Sequence, residues 1–307
     1  MQNPSISRII EGDALEKLDE IRDTIHLTFL DPPYNQGKSY RFFNDKQSPR
    51  SYWQWIDDLL SKIYKLTAEG GCIYFMQREK NTEHVLRSLR KTGWTFQNLI
   101  IWKKRTSAVP CSWRYGKQYQ IIAFATKGKK PRVFNKLRVD YPLRPEYKLP
   151  REDGIFVTDV WDDIKELTSG FFAGDEALRD KEGKRLHEQQ SPVALLLRII
   201  LSSTHIGDTV LDPLAGTGVT LVVAKQLQRN YIGIEIDPNY VEIIKQRLSS
   251  TRDPDDIHKY YDYYRYTPNL GEIWKPLLKQ TKLIEEQQAR LSTNCIFKAK
   301  EQKVTHP

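Results

Sequence analysis

Thr209-Val-Leu-Asp-Pro-Leu-Ala-Gly-Thr-Gly218 is the stretch that decides the fold. It begins as a short strand of β-branched and aliphatic residues, breaks at Pro213, turns on its glycines and runs into Val219 to Leu227, which has helical apolar spacing. A strand, a glycine turn and a helix in that order build one half of a doubly wound α/β sheet, where ligands bind outside the carboxyl ends of the strands. Asp212 at the strand end can reach a cationic amine, Pro213 and Ala215 sit in the turn, and Gly216 and Gly218 let the backbone approach a ligand closely. The next strand, Tyr231-Ile-Gly-Ile-Glu235, ends on a carboxylate that can accept both hydroxyls of a ribose, with Ile236 beside it. A dinucleotide fingerprint needs a third glycine where Leu221 stands, and a phosphate-binding loop needs Lys where Val219 precedes Thr220. The pattern therefore predicts an adenosine ligand without a phosphate chain.

Outward from this unit the same alternation recurs. Thr24 to Leu30 reads as a buried strand stopped by Asp31-Pro-Pro, Tyr52 to Leu66 as a helix, Gly71 to Met76 as a strand and Thr82 to Leu89 as a helix. Phe96 to Trp102 and Tyr119 to Ala125 follow as strands, and the alternation predicts a parallel sheet with crossover helices. Periodicity lapses from Thr126 to about Leu186 and returns with Val193 to Leu201, for which Ser191 is the expected N-cap and Pro192 the first helical residue. Asp237-Pro238 opens another helix, and a further one is expected across Leu283 to Leu291.

Asp31-Pro32-Pro33-Tyr34 falls at a carboxyl strand end, the edge where α/β enzymes place their chemistry. An amino group on an aromatic base is a poor nucleophile because its lone pair is delocalised into the ring. A carboxylate and a prolyl-segment carbonyl, fixed on its two hydrogens, would draw the nitrogen toward tetrahedral geometry and stabilise the developing charge. Tyr34 offers a ring on which a base rotated out of a duplex can stack.

The net charge is +9, but Met76 to Pro150 holds 18 Lys and Arg against 4 Asp and Glu, so this block carries +14 and the remainder −5. Trp94, Trp102, Trp113, Tyr115 and Tyr119 are interleaved with it, a pattern that suits a polyanion. Lys103, Lys104, Arg105, Lys127, Lys129, Lys130 and Arg132 lie near the ends of two expected strands and are the candidate DNA-phosphate contacts. Three scattered cysteines and six histidines have no metal-ligand spacing, so no metal is expected. No apolar run reaches membrane-spanning length and no signal peptide is legible, which predicts a cytoplasmic protein.

Asp31-Pro-Pro-Tyr34 and Asp212-Pro-Leu-Ala-Gly-Thr-Gly218 resemble the catalytic and cofactor motifs of the amino-DNA methyltransferases, and their order resembles the permuted beta class. In that class a Gly-Asp-Ala-Leu segment precedes the catalytic motif; here it is Gly12-Asp-Ala-Leu15, which assigns Asp13 and Ala14 to the cofactor adenine. The class also carries His-Pro-Thr-Gln-Lys-Pro before the cofactor strand, where it holds the methionine carboxylate. His187-Glu-Gln-Gln-Ser-Pro192 keeps His187, Gln190 and Pro192 but loses the first Pro and the Lys. The resemblance spans roughly Ile6 to Leu248. It implies a Rossmann-like S-adenosylmethionine-dependent methyltransferase fold with circularly permuted motifs and an inserted target-recognition region.

The expected segments are 1–127 as the catalytic half, 128–186 as target recognition, 187–250 as the cofactor half and 251–307 as a C-terminal extension. Asp31 would also face the cofactor. The implied activity is site-specific methyl transfer from S-adenosylmethionine to adenine N6 in double-stranded DNA, with the base flipped out. Cytosine N4 is the alternative, because Asp in first place favours adenine without excluding cytosine, and an RNA amino-methyltransferase is less favoured. A restriction endonuclease partner and a homodimer are compatible with the class. Pro110-Cys111 resembles the nucleophile of ring-carbon cytosine methyltransferases, but there the cofactor motif comes first, so Cys111 is read as a loop cysteine.

Overall fold

The computed structural model describes residues 6–105, 112–140, 153–167, 174–180, 182–186 and 190–275. The chain divides into two units, Met1–Ile273 and Trp274–Pro307, and the description below concerns the first. The expected Leu283–Leu291 helix and Cys111 lie outside the described residues.

In chain order the elements are β1 (Arg8–Glu11), α1 (Ala14–Leu18), β2 (Ile25–Leu30), α2 (Pro49–Leu66), β3 (Thr67–Arg78), α3 (Thr82–Lys91), β4 (Thr95–Lys103) and β5 (Tyr119–Thr126). Then come β6 (Arg138–Val139), β7 (Ile155–Phe156), β8 (Val160–Trp161), α4 (Val193–Ser203), β9 (Thr209–Asp212), α5 (Val219–Gln226), β10 (Asn230–Glu235), α6 (Pro238–Ser249) and α7 (Leu270–Ile273). Eight of the strands form one sheet in the order β1-β10-β9-β2-β3-β5-β4-β8, and β6 pairs with β7 separately.

The helices cover both faces because the central strands β2, β3 and β9 are buried on both sides. Tyr52, Ile56, Leu59, Leu60 and Ile63 line one stripe of α2 and pack, with α1 and α3, against Ile25, Ile73, Phe75, Ile121 and Ile232. On the opposite face Tyr74 stacks on Phe124 at 4.7 Å and its hydroxyl meets Ser203 of α4 at 2.8 Å. α5 and α6 join on that face, where Ala215, Leu221 and Ile244 form a smaller cluster.

Two expectations are corrected. β5 runs antiparallel to both β3 and β4, whereas every other neighbouring pair in the sheet is parallel. Two strands in succession without a helical segment between them pair as neighbours of opposite direction, and the sequence pattern marks a strand without marking its direction. Ser191 does not cap α4: Pro192 holds the N-cap position without a side-chain cap bond, and the Glu176 carboxylate accepts the Val193 N–H at 2.5 Å instead.

The segment between β5 and α4 also contributes to the sheet. β8 pairs with β4 through Val160 opposite Ile101 and Trp161 opposite Trp102. Arg198 of α4 anchors the residues that follow by an ion pair with Asp163, whose other contacts include the Tyr263 hydroxyl at 2.6 Å. Among the described residues no helix is long and apolar enough to cross a membrane.

Candidate active site

Strands β2, β9 and β10 run in one direction and each ends at a carboxylate: Asp31 just past β2, Asp212 closing β9 and Glu235 closing β10. The parallel register therefore gathers three acids at one sheet edge. They line one cavity with Gly12, Asp13, Ala14, Pro32, Pro33, Gln190, Ser191, Pro213, Ala215, Gly216 and Ile236.

Burial pushes all three acids up: Asp31 to about 7, Asp212 to about 6 and Glu235 to about 7. The Asp212 charge adds to the effect at Asp31 and Glu235, while hydrogen bonds oppose it. The Tyr34 hydroxyl donates to Asp31 Oδ1 at 2.5 Å and Ser191 Oγ to Oδ2 at 3.4 Å. Thr220 Oγ donates to Asp212 Oδ2 at 2.6 Å and the Leu214 N–H to Oδ1 at 3.2 Å. The N–H groups of Gly216 and Asp237 donate to Glu235 at 2.7 and 2.8 Å. Three clustered acids held near neutrality favour a cation in the space between them, and a ligand carrying ammonium and sulfonium charges meets that requirement.

Two relays brace the Asp-Pro-Pro-Tyr turn. Gln77 Nε2 donates to the Tyr52 hydroxyl at 2.9 Å, which donates to the Pro33 carbonyl at 2.7 Å. Gln120 Nε2 donates to the Tyr34 hydroxyl at 2.8 Å, which holds Asp31. The Pro33 carbonyl is thus engaged, and Pro32 supplies the other prolyl carbonyl of the turn. Tyr34 is 4% exposed and does not line the cavity: its ring is packed inside and its hydroxyl positions Asp31.

The other cofactor candidates divide similarly. Asp13 borders the cavity while its carboxylate caps α1 through the Leu15 N–H at 2.8 Å. Gln190 borders it too, but its amide is bound to Leu178 N–H at 3.1 Å and Glu176 carbonyl at 3.0 Å. Gly218 does not line the cavity. Its φ of +77° and the Ile244 side chain, 2.7 Å from where a Cβ would stand, make it a helix-packing glycine rather than a point of ligand approach. His187 lies outside the described residues.

Sequence reasoning missed Ser191 and the aromatic side of the cavity, formed by Phe29, Tyr40, Phe42, Phe43 and Trp55. Ser191 sits beside Gln190, so its nearness to a motif residue was the available signal. The aromatic side mixes a local run, Tyr40 to Phe43, that carries no motif with Phe29 of β2 and Trp55 of α2, which only the fold brings to it.

The basic residues separate into two groups. Lys103 closes β4, Lys104 and Arg105 follow it, and the three share the edge of Asp31. Lys104 is largely shielded, which lowers its pKa, while the charges of Glu166 and Asp31 oppose that shift. Lys127, Lys129, Lys130 and Arg132 follow the far end of β5 and lie at the opposite edge, because β5 is reversed. Lys127 donates to the Tyr64 and Thr67 carbonyls at 3.0 and 2.8 Å, and Arg132 pairs with Asp208 at the start of β9. The expectation that the whole block borders the Asp31 pocket is corrected: only its first three members share the edge of Asp31, and none of the seven lines the cavity. Among the described residues no cluster of His, Cys, Asp and Glu is arranged to hold a metal ion.

A family model described as DNA methylase, of the N6/N4 type, matches residues 25–246. The chain is 30% identical over 273 residues to Type II methyltransferase M.HinfI of Haemophilus influenzae, covering 83% of this chain and 72% of that protein. It is 31% identical over 256 residues to DNA adenine methyltransferase YhdJ of Escherichia coli (strain K12), covering 78% and 82%. The crystal structure of the M1.HpyAVI–SAM complex superposes with a TM-score of 0.55 at 25% identity, covering 79% of this chain and 99% of that one.

Proposed function

The chain belongs to the DNA methylase family, and from that premise we propose that it transfers a methyl group from S-adenosylmethionine to adenine N6 in double-stranded DNA as the modification enzyme of a restriction-modification system. The observation that carries this reading is the Asp31 carboxylate, turned into the same cavity as Asp212 and Glu235. Adenine is supported by Asp in the first motif position and by the similarity to a protein named a DNA adenine methyltransferase.

The donor fits the residues present. Glu235 would hold the ribose, Asp13, Ala14 and Ile236 the adenine, and Asp212, Pro213, Ala215 and Gly216 the charged methionine end. When bound, S-adenosylmethionine supplies a methyl already activated by its sulfonium. The protein's work is then orientation and charge stabilisation. Asp31 and the Pro32 carbonyl accept the two amino hydrogens, turning the nitrogen lone pair out of conjugation and toward the donor. Tyr34 and Ser191 fix the Asp31 carboxylate in that attitude. Asp31 stabilises the cationic amine that forms, and the extra proton passes afterwards to solvent.

The motif order in the chain supports a permuted methyltransferase: 1–127 is the catalytic half, 128–186 the target-recognition region, 187–250 the cofactor half and 251–307 an extension. Lys103, Lys104 and Arg105, on the Asp31 edge, would meet DNA phosphates while the base is flipped into the cavity. The test is incubation of purified protein with methyl-labelled S-adenosylmethionine and duplex DNA, followed by nucleoside analysis. Labelled N6-methyladenine is expected; N4-methylcytosine would move the assignment to the alternative, and unlabelled DNA would overturn the reading.

A further inference from the structure

Ala215, Gly216 and Thr217 line the cavity in a turn with few means of holding its own shape. Gly216 and Gly218 have φ of +51° and +77°, and glycine gives up more conformational freedom than any other residue when it is fixed. On the cavity side, the Glu235 carboxylate accepts the Gly216 N–H at 2.7 Å. From within the protein, Arg247 of α6 donates through Nη1 to the Thr217 carbonyl at 2.6 Å. Arg247 is 3% exposed.

Arg247 is itself aimed by one acid. Asp255, in the chain after α6, is fully buried, and its two oxygens accept Arg247 Nε and Nη2 at 3.0 and 2.8 Å. The same carboxylate draws in Arg252, whose Nη1 lies 3.7 Å from Oδ2 and whose Nη2 donates to the Asp175 carbonyl at 2.8 Å. The adjoining Glu176 carbonyl accepts Gln190 Nε2 at 3.0 Å, and Gln190 lines the cavity. Gln226 of α5 fixes the backbone at Asp255, donating to its carbonyl at 2.9 Å and accepting the Ile257 N–H at 3.2 Å. Taking two charges out of water costs about as much as their attraction returns, so the Arg247–Asp255 pair is a poor source of stability. What it supplies is geometry: one carboxylate directs two arginines onto two segments of the cavity wall. Among the described residues none beyond Tyr240 lines the cavity, so Asp255 reaches it only through those arginines.

We propose, resting on the DNA methyl-transfer reading above, that Asp255 is a positioning residue for S-adenosylmethionine. Through Arg247 it sets the Ala215 to Thr217 turn, and through Arg252 the segment that holds Gln190. The chain after Ser250 thereby takes part in binding the donor without touching it. A turn that visits other shapes lowers the fraction of molecules ready to bind, and apparent affinity falls by that fraction. Asp31 is held by the separate relays through Tyr34 and Tyr52, so the transfer step itself should be little affected.

The test is titration calorimetry of S-adenosylmethionine into the full chain and its variants, with the melting midpoint of each recorded alongside. Removing one partner of a buried pair strands the other, so the first variant removes both charges: Arg247→Met with Asp255→Leu. It should bind the donor roughly fivefold or more weakly than the parent, with KM for the donor raised to match and kcat at saturating donor close to the parent's. Asp255→Asn keeps the shape at 255 and should weaken the donor in the same direction. Arg229→Met controls for stability alone. Arg229 is buried at the opposite end of β10 from Glu235, where it donates to the Leu227 and Ile273 carbonyls at 2.6 and 2.7 Å. Its loss should lower the melting midpoint and leave donor affinity unchanged. Parent-like affinity in the Asp255 variants, or an equal loss of affinity in Arg229→Met, would overturn the proposal. A parent protein that does not bind S-adenosylmethionine would instead sink the functional reading, and this proposal with it.

Discussion

Asp31→Asn should stabilise the unliganded protein while stopping its chemistry. Asp31 is half-buried in the cavity wall, with its pKa raised from 3.8 to about 7, mainly by loss of solvent. A carboxylate raised on folding binds more protons in the folded state, so stability falls as pH climbs between the unfolded and folded values and levels off above the higher one. At 1.36 kcal/mol per pKa unit, ionisation of Asp31 costs the folded state about 1.5 kcal/mol by pH 5 and about 4 kcal/mol by pH 8, given its values of 3.8 and about 7. Asparagine has nearly the same shape and no charge to bury. Urea unfolding at pH 5, 6.5 and 8 should therefore show the variant's margin over the parent growing by about 2–3 kcal/mol across that range. The same variant should lose on the order of a hundredfold or more in methyl transfer while still binding S-adenosylmethionine. A margin that does not change with pH, or turnover close to the parent's, would refute the reasoning.

Glu235→Ala should weaken S-adenosylmethionine binding by roughly 1.5–3 kcal/mol, read by titration calorimetry, and unchanged affinity would reduce Glu235 to a strand-end carboxylate. Gln77→Leu should lower kcat through the Tyr52–Pro33 relay while leaving cofactor affinity intact, and the Tyr52→Phe variant should share that split. Neutralising Lys103 and Arg105 should reduce the salt slope of DNA binding by about one unit per lost phosphate contact, whereas neutralising Lys129 and Lys130 at the far edge should leave it unchanged. Gly218→Ala should destabilise the fold by about 1–3 kcal/mol, since φ is +77° and the new Cβ would meet Ile244; an unchanged melting midpoint would contradict this.

The strand-turn-helix around Asp212 was legible because its signals are local: an aliphatic strand of Thr209 to Asp212, glycines at the turn and a helical period after it. The three acids could be named for the same reason, each closing an apolar run. The direction of β5 was not legible, because alternation says nothing about which way a strand runs. That one reversal sends Lys127 and Arg132 to the edge away from Asp31, although Lys103 and Lys104 share their basic block. The burial of Tyr34 was not legible, because a motif records identity and not burial. Its hydroxyl is taken by Asp31 and Gln120, two partners far apart in sequence from each other. Ser191 was placed as a helix cap on local preference, and the Asp31 carboxylate competes for its hydroxyl across 160 residues.

The place of the first strand in the sheet governs how the chain can be made. β9 and β10 sit between β1 and β2, with Ile10 beside Ile234 and Thr28 beside Leu211. During synthesis β1 and β2 therefore leave the ribosome with their future neighbours unmade, and each keeps a bare row of N–H and C=O groups until some two hundred more residues emerge. Closing the sheet is a late, long-range event, which slows folding and leaves the incomplete chain open to pairing with other copies. A message truncated before Thr209 should yield insoluble product. Restoring solubility would require a separately made fragment carrying Thr209 to Glu235 to slot into the gap.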